Sequence, residues 1–154
     1  MASVFSTFWT QIRAAIAATW TDVLPAASGG GIHRAVSIQK IDWTAVALPY
    51  CVVVYRSRLW EQGPITAQIF DLDVEIFYIR ADAASDTAES IDTKLEALDD
   101  ALSTYAFPEG VAYIDTIAHD NTEENAANRA LLALNYPMSA GSLRCLFRVG
   151  ETMT

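Results

Sequence analysis

Three acidic residues alternate with apolar residues in the segment from Ile65 to Arg80, ITAQIFDLDVEIFYIR. Because successive side chains of a strand point to opposite faces, Asp71, Asp73 and Glu75 share one face at a spacing of about 7 Å. Carboxylates placed in this way can hold a divalent cation, pair with basic residues, or form an unpaired acidic surface. No neighbouring loop supplies further ligands, so we predict no metal site.

Two arginines near the end of the chain are possible partners for these acids. The segment from Leu143 to Val149 alternates apolar residues with Arg144 and Arg148, which predicts a strand with both arginines on one face. If this strand lies beside the acidic one, the arginines can pair with the acids across the ladder. The alternative is that the acids face a pore.

A second basic group lies in the segment RSRLWEQGP (56–64), which is predicted to be a turn. Two arginines are too few for a nucleic-acid interface in so acidic a chain. Arginine and tryptophan are, however, the residues most enriched at the energetic centres of protein interfaces, which favours an interface over the alternative of a plain hairpin end. The candidate subunit-interface residues are Arg56, Arg58, Trp60, Arg144 and Arg148.

The sequence contains no catalytic or cofactor-binding signature. The glycines at 29–31 follow a predicted helix rather than a strand, and Arg34 stands where a dinucleotide-binding loop has its third glycine. Neither GxSxG nor HExxH is present. His119 beside Asp120 is the one pair that suggests general-base chemistry, and a surface histidine is the simpler interpretation. We predict no catalytic, cofactor-binding or metal residues, and a protein that is not an enzyme.

Composition limits the partners of the 154-residue chain. The net charge is −9, and direct nucleic-acid binding is disfavoured because neutralised phosphates supply most of such affinity. Charged residues make up 19% of the chain, which favours a subunit that buries surface against its neighbours. Cys51 and Cys145 are predicted to be buried free thiols. No apolar run is long enough to span a membrane, and we expect no signal peptide.

Hydrophobic periodicity predicts the elements that position these residues. One amphipathic helix spans 4–24, a glycine-rich connector spans 26–31, and a second helix follows the capping box at 86–89 and runs over 90–105. Strands are predicted at 36–43, 50–55, 65–80, 111–118, 130–136 and 143–149, with a polar loop at 119–128 and a terminal hairpin around 137–142. This order predicts a single α+β domain over 1–154, with a sheet-plus-helix body at 36–150. Its single, mainly antiparallel sheet is covered by two helices.

The long strand at 65–80 is predicted to bend. Its apolar residues are odd-numbered up to Ile69 and even-numbered from Phe70, and a period of two cannot shift by one without a bulge or a bend. We expect the irregularity at one of these two residues. We also expect the bent hairpin strand to extend beyond its own sheet, where subunits would meet.

The layout resembles the tail terminator (minor tail, tail-completion) proteins of long-tailed bacteriophages. The resemblance is carried by the aromatic-rich N-terminal helix, the segment LPYCVVVY (48–55), the long strand that runs into the helix at 90–105, and the closing strand at 143–149. It covers most of the chain and depends on the order and size of the elements.

Proteins of that family are structural, form rings that are usually hexamers, cap the tail tube and join it to the head. The resemblance therefore implies a homo-oligomer without cofactors, with the tail-tube protein and the head-tail connector or head-closure protein as partners. It implies assembly in the host cytoplasm and a final place in the tail or neck of the virion. It also makes Asp71, Asp73 and Glu75 candidates for the wall of a channel through which DNA passes without specific binding.

Two alternatives stay open. The chain could be a different neck or tail protein, of the head-closure or tail-tube type. It could instead be a small α+β enzyme or ligand-binding domain that uses His119, Asp120 and the face of Asp71, which predicts a pocket where polar groups from several loops converge.

Overall fold

The computed structural model describes residues 4–23, 31–61, 68–82, 87–108 and 110–151. The helices in these ranges are α1 (Val4–Thr19), α2 (Thr87–Thr104) and α3 (Ala126–Ala133). The strands are β1 (Gly31–Ala35), β2 (Tyr50–Glu61), β3 (Gln68–Ala81), β4 (Val111–Asp120) and β5 (Met138–Glu151). A 3₁₀ turn lies between β1 and β2, at Ile38–Lys40.

The five strands form one sheet in the order β1-β2-β3-β5-β4. β1 runs parallel to β2, and every other neighbouring pair is antiparallel. The predicted α+β class with a mainly antiparallel sheet is confirmed. The described sheet has two edges, β1 and β4, and β3 lies in the middle with β5 and β2 beside it.

The helices α1 and α2 pack side by side on one face of the sheet, which we call the helix face, because each carries an apolar stripe. The buried stripe residues are Phe8, Ile12, Ile16 and Trp20 near α1 and Ile91, Leu95, Leu98 and Leu102 on α2. They pack on alternate residues of the central strands, among them Leu72, Val74, Ile76, Tyr78, Cys145 and Phe147. Gly141 is required here, because a Cβ atom at this position would collide with the side chain of Ile91.

The opposite face of the sheet is divided into two halves. In the covered half, the apolar side chains Val52, Val54, Phe77, Ile79 and Ala140 pack with α3 and with Ile38 and Trp43 of the loop that leads to β2. The open half contains the ionic side chains Arg56, Asp71, Asp73, Glu75, Arg144 and Arg148. The two halves are built by the same strands, so the position of a residue along its strand determines whether its side chain lies in the apolar half or in the ionic half.

The predicted terminal hairpin is wrong. Residues 130–136 belong to α3 and the turn that follows it, and β5 already begins at Met138, within the turn predicted at 137–142. Asn125 begins the helix, because its Oδ1 accepts a hydrogen bond from Ala127 N at 3.0 Å. Ala127 and Leu131 are then buried in the covered half.

Three other element boundaries also differ from the predictions. The strand predicted at 36–43 is instead β1 at Gly31–Ala35, and Ser37 caps the following 3₁₀ turn by accepting a hydrogen bond from Gln39 N at 3.1 Å. The turn predicted at 56–64 is wrong for its first six residues, because β2 continues to Glu61. The first helix ends at Thr19 rather than at residue 24. Most of the predicted connector and the first residue of the capping box lie outside the described residues, which omit 24–30, 62–67 and 83–86.

The predicted irregularity in β3 is not found. β3 pairs with β5 without a register shift from Gln68 to Ala81, so it stays within the sheet along its whole length. The shift lies on the neighbouring strand β2, where Arg56 is an extra residue between Tyr55 and Ser57. The bulge is therefore on the partner strand, which the periodicity of β3 alone cannot indicate.

Candidate functional site: three ion pairs on the open half of the sheet

The three predicted acids do share one face of β3, on the open half. Asp73 and Glu75 are almost completely buried, at 7% and 8% exposure. The Asp71 side chain is more accessible, at 21%. Burying a carboxylate without a partner would cost free energy, so the residues of β2 and β5 that pair with these acids determine the chemistry of the site.

Each acid forms an ion pair with an arginine. Arg144 binds Asp73 through two nitrogens, with Nε 3.0 Å from Oδ1 and Nη2 2.5 Å from Oδ2. Arg148 Nε donates to Asp71 Oδ1 at 3.0 Å. The hydrogen bonds to Asp73 raise the pKa of the Arg144 guanidinium above its ordinary value. The cross-strand pairing that the sequence left open is therefore present in the structure.

The third acid is bound from both sides. Arg56, the bulged residue of β2, places Nη1 2.6 Å from Glu75 Oε1. On the other side, Ser142 of β5 donates its hydroxyl to Glu75 Oε2 at 2.5 Å. The bulge thus has a consequence at the site, because it brings an arginine of β2 to the acid that the β5 arginines do not bind.

A buried hydrogen-bond network joins this site to α3. Asn125 Nδ2 donates to Ser142 Oγ at 2.8 Å, and the same nitrogen lies 2.9 Å from the carbonyl oxygen of Asp120. Asn125 also begins α3, so the covered half and the open half meet at this residue. The sequence analysis missed both Asn125 and Ser142. Ser142 has the same parity as Arg144 and Arg148, and an Asn before a run of helix-forming residues is a capping signal.

Within the three pairs the charges balance, with three carboxylates and three guanidiniums. The carboxylates lie beneath, whereas the Arg56, Arg144 and Arg148 side chains are 45%, 38% and 46% exposed. Arginine stems can cover neighbouring groups while the charged ends stay in water. The surface therefore presents paired guanidiniums rather than a row of free acids.

The other two candidate interface residues are on β2. Arg58 pairs in register with Leu72, and Trp60 with Phe70, so both belong to the extended hairpin rather than to a turn. Their side chains lie outside the described residues, and their assignment to an interface stays a prediction.

His119 lies on the helix face and not beside the three acids. It is paired in register with Leu143, which is buried beneath the helices, whereas Asp71 is on the opposite face. Its partner is Asp99 of α2, with Nε2 3.0 Å from Oδ2. Asp120, the neighbour in sequence, instead accepts a hydrogen bond from Thr122 N at 3.0 Å. The residues of the enzyme alternative therefore do not converge on one site.

The carboxylate of Asp99 joins α2 to β4. It accepts hydrogen bonds from Tyr113 and Thr116 as well as from His119. Burial alone would raise the pKa of Asp99, but the hydrogen bonds from Thr116, His119 and Tyr113 outweigh it, so that this pKa is lowered. The sequence analysis missed Asp99, because its partners are on β4 and the sequence alone does not show that α2 packs beside that strand.

Cys51 and Cys145 are buried and free, as predicted, and burial raises the pKa of both thiols. Among the described residues, no group of three or more His, Cys, Asp or Glu side chains could hold a metal ion. No helix of the described chain is long and apolar enough to cross a membrane. A cleft of about 300 Å³ lies beside the Arg56–Glu75 pair, between β2, the 3₁₀ turn and the first residue of α3.

Comparison of the chain with models of protein families finds no match, and comparison with curated proteins finds no significantly similar sequence.

Proposed function

We propose that this chain is the subunit of a ring that terminates a phage tail tube and joins it to the head-side connector. The observation that carries the proposal is the open half of the sheet. This surface carries three arginine–carboxylate pairs, and the arginine side chains of all three are accessible to solvent. The order of elements that resembles tail terminators supports the same conclusion.

A surface of paired charges suits the wall of a channel that DNA crosses. Free arginines would bind phosphates and hold the DNA, and free carboxylates would repel it. Here each guanidinium is already engaged by a carboxylate at 2.5 to 3.0 Å. DNA would therefore meet a surface that neither binds it strongly nor opposes its entry. In this proposal the acids act by neutralising the arginines.

The first test is the mass of the purified chain in solution, measured by light scattering after size exclusion at low and moderate salt. A closed oligomer near six subunits, seen as rings by electron microscopy, is the expected result. The second test is the length of tail tubes assembled from the cognate tube protein with and without this chain. Capped tubes of limited length are expected when the chain is present. Tubes that grow equally long in both cases would contradict the proposal, and binding to head-closure components alone would favour the other neck function.

A further inference from the structure

A cleft opens at the end of the sheet where β4 leaves its neighbour β5. The last residue of β4 that pairs with β5 is Asp120, opposite Ser142, whereas β5 already begins at Met138. Beyond Asp120, Asn128 of α3 takes the place of the missing strand. Its Oδ1 accepts a hydrogen bond from Ala140 N, and its Nδ2 donates one to Ala140 O, both at 2.7 Å. A cleft of about 360 Å³ remains between this part of β5, the start of α2 and α3, and we call it the α2–α3 cleft.

Part of the α2–α3 cleft is apolar. Ile91 and Ala140 line it and are buried, whereas Leu132 lines it and is 69% exposed. Leu134, at the end of α3, is also 56% exposed. Residues 130–143, which include both leucines, contain no Asp, Glu, Lys or Arg. Exposed apolar side chains that lie together are typical of surfaces that contact another molecule.

The charged residues that line the cleft are both acidic. Asp82, directly after β3, and Glu123, in the loop before α3, are exposed. The described residues that line the cleft include no Lys, Arg or His. The Asp82 carboxylate accepts a hydrogen bond from the Ser139 hydroxyl, and a neutral donor leaves the charge of the carboxylate uncompensated.

The basic residues nearest in sequence to these two acids have other partners. Arg80 donates a hydrogen bond to the Ser90 hydroxyl, and Arg129 Nη1 lies 4.0 Å from Glu124 Oε2. The N-terminus of α2, which also lines the cleft, carries only about half an elementary positive charge, and Glu89 in its first turn offsets part of it. Two full carboxylate charges outweigh that partial charge, so the cleft favours a cation.

We infer that the α2–α3 cleft binds a segment of a partner protein in which a basic residue stands beside apolar residues. The apolar residues of the segment lie against Leu132, and its ammonium or guanidinium pairs with Asp82 or Glu123. A site for a small molecule encloses most of its ligand, whereas Leu132 leaves this cleft open to a longer chain. The inference goes beyond the proposed function, because it concerns a different surface and depends on neither the ring nor the tail tube.

A peptide library tests the inference with the full chain. Random octapeptides on beads are selected with the fluorescently labelled protein, and the enriched sequences should combine lysine or arginine with leucine, isoleucine, methionine or phenylalanine. An enriched peptide is then titrated by fluorescence anisotropy beside a version in which acetyl-lysine or citrulline replaces the basic residue. Removal of the charge should weaken binding about three- to tenfold. Binding of the basic peptide should also weaken as the salt concentration rises.

Two matched double variants test the role of the acids. Asp82→Asn with Glu123→Gln should remove the preference for the basic peptide over its neutral version. Asp92→Asn with Glu96→Gln makes the same change in net charge at exposed residues of α2 that do not line the cleft, and should keep that preference. All four side chains are exposed, so neither variant should lower the unfolding temperature.

A second matched pair tests the apolar part of the cleft. Leu132→Ser should weaken the basic and the neutral peptide alike, because both lose the same apolar contact. Ile117→Ser changes an apolar side chain of β4 that is 47% exposed and does not line the cleft, and should leave the binding of both peptides unchanged.

Other occupants of the cleft give different results, each of which would overturn the inference. One is that no basic peptide is enriched, or that the variant of Asp82 and Glu123 still prefers the basic peptide. A second is that hexylammonium binds the original chain but not this variant in calorimetric titration while no peptide is selected, which would make the cleft a site for a small cation. A third is that no peptide is selected and Leu132→Ser lowers the sedimentation coefficient of the chain itself, which would mean that a second copy covers the cleft.

Discussion

The covered half and the open half of the sheet are built by the same strands, yet they are closed in different ways. On β3, Phe77 is buried beneath the loop and α3, whereas Asp73, four residues earlier on the same face, is buried beneath an arginine of β5. In the covered half a helix excludes water. In the open half side chains of neighbouring strands do so, and they leave charge at the surface.

The difference shows that burial on a sheet face does not require a covering element. A carboxylate can be buried when it is paired with a cation, but the attraction between the two charges is largely cancelled by the cost of removing both from water. Apolar burial has no such opposing cost and stabilises by about 25 cal/mol for each Å² removed from water. We therefore expect the covered half to hold the fold together and the open half to specify a surface.

The largest effect is expected from a cavity in the covered half. Phe77→Ala removes a ring that is 2% exposed, and should lower the free energy of unfolding by about 3–5 kcal/mol. Urea denaturation measures the change. Val36→Ala, at a side chain that is 87% exposed, is the control and should change stability by less than about 0.5 kcal/mol. A loss below that of the control would mean that Phe77 is not part of a core.

A smaller effect is expected from breaking an ion pair in the open half. Arg144→Met leaves Asp73 buried without its cation, and should cost about 1–3 kcal/mol. Arg148→Met is the matched change at the more exposed Asp71 pair, and should cost less than about 1 kcal/mol. The order of the two losses tests whether burial of the acid sets the strength of the pair.

A double variant sharpens the same comparison. Asp73→Leu with Arg144→Met replaces both charges by apolar groups, and should recover most of the stability that Arg144→Met loses. If the double variant recovers no stability relative to Arg144→Met, the loss comes from the missing attraction rather than from a bare carboxylate, and this half resembles the covered one more than we expect.

The sequence predicted those features that depend on a regular period. The stripe of α2 and the shared face of Asp71, Asp73 and Glu75 follow directly from side-chain spacing. The pairing of Asp71 with Arg148 needed only the further assumption that the two strands are neighbours, and the register confirms it.

Features that depend on a partner elsewhere in the chain could not be predicted. The α3 segment AANRALLA is short and apolar, and such a run fits a strand as well as a helix until its packing is known. The bulge at Arg56 reflects the fit of β2 to β3, and neither strand shows it alone. Likewise Asp99 meets His119 only because α2 packs beside β4.

The smallest effect is expected from a carboxylate on the helix face, Asp22, which is not part of the surface with the three ion pairs. Asp22 accepts hydrogen bonds from Tyr78 and from Lys94, at 2.5 and 2.9 Å. Burial alone would raise the pKa of Asp22, but the two hydrogen bonds and the charge of Lys94 outweigh it, so the pKa is lowered from 3.8. The ionised form therefore stabilises the fold.

The sign of the pH dependence follows from this lowered pKa. The stabilisation by Asp22 is fully present above pH 3.8 and is lost as the pH falls through the lower pKa of the folded state. Asp22→Asn should reduce the free energy of unfolding at neutral pH by less than about 1 kcal/mol, because the group is partly exposed. The gap between the two proteins should then close as the pH falls below 3.8. A gap that stays constant down to acid pH would mean that Asp22 contributes through its shape rather than its charge.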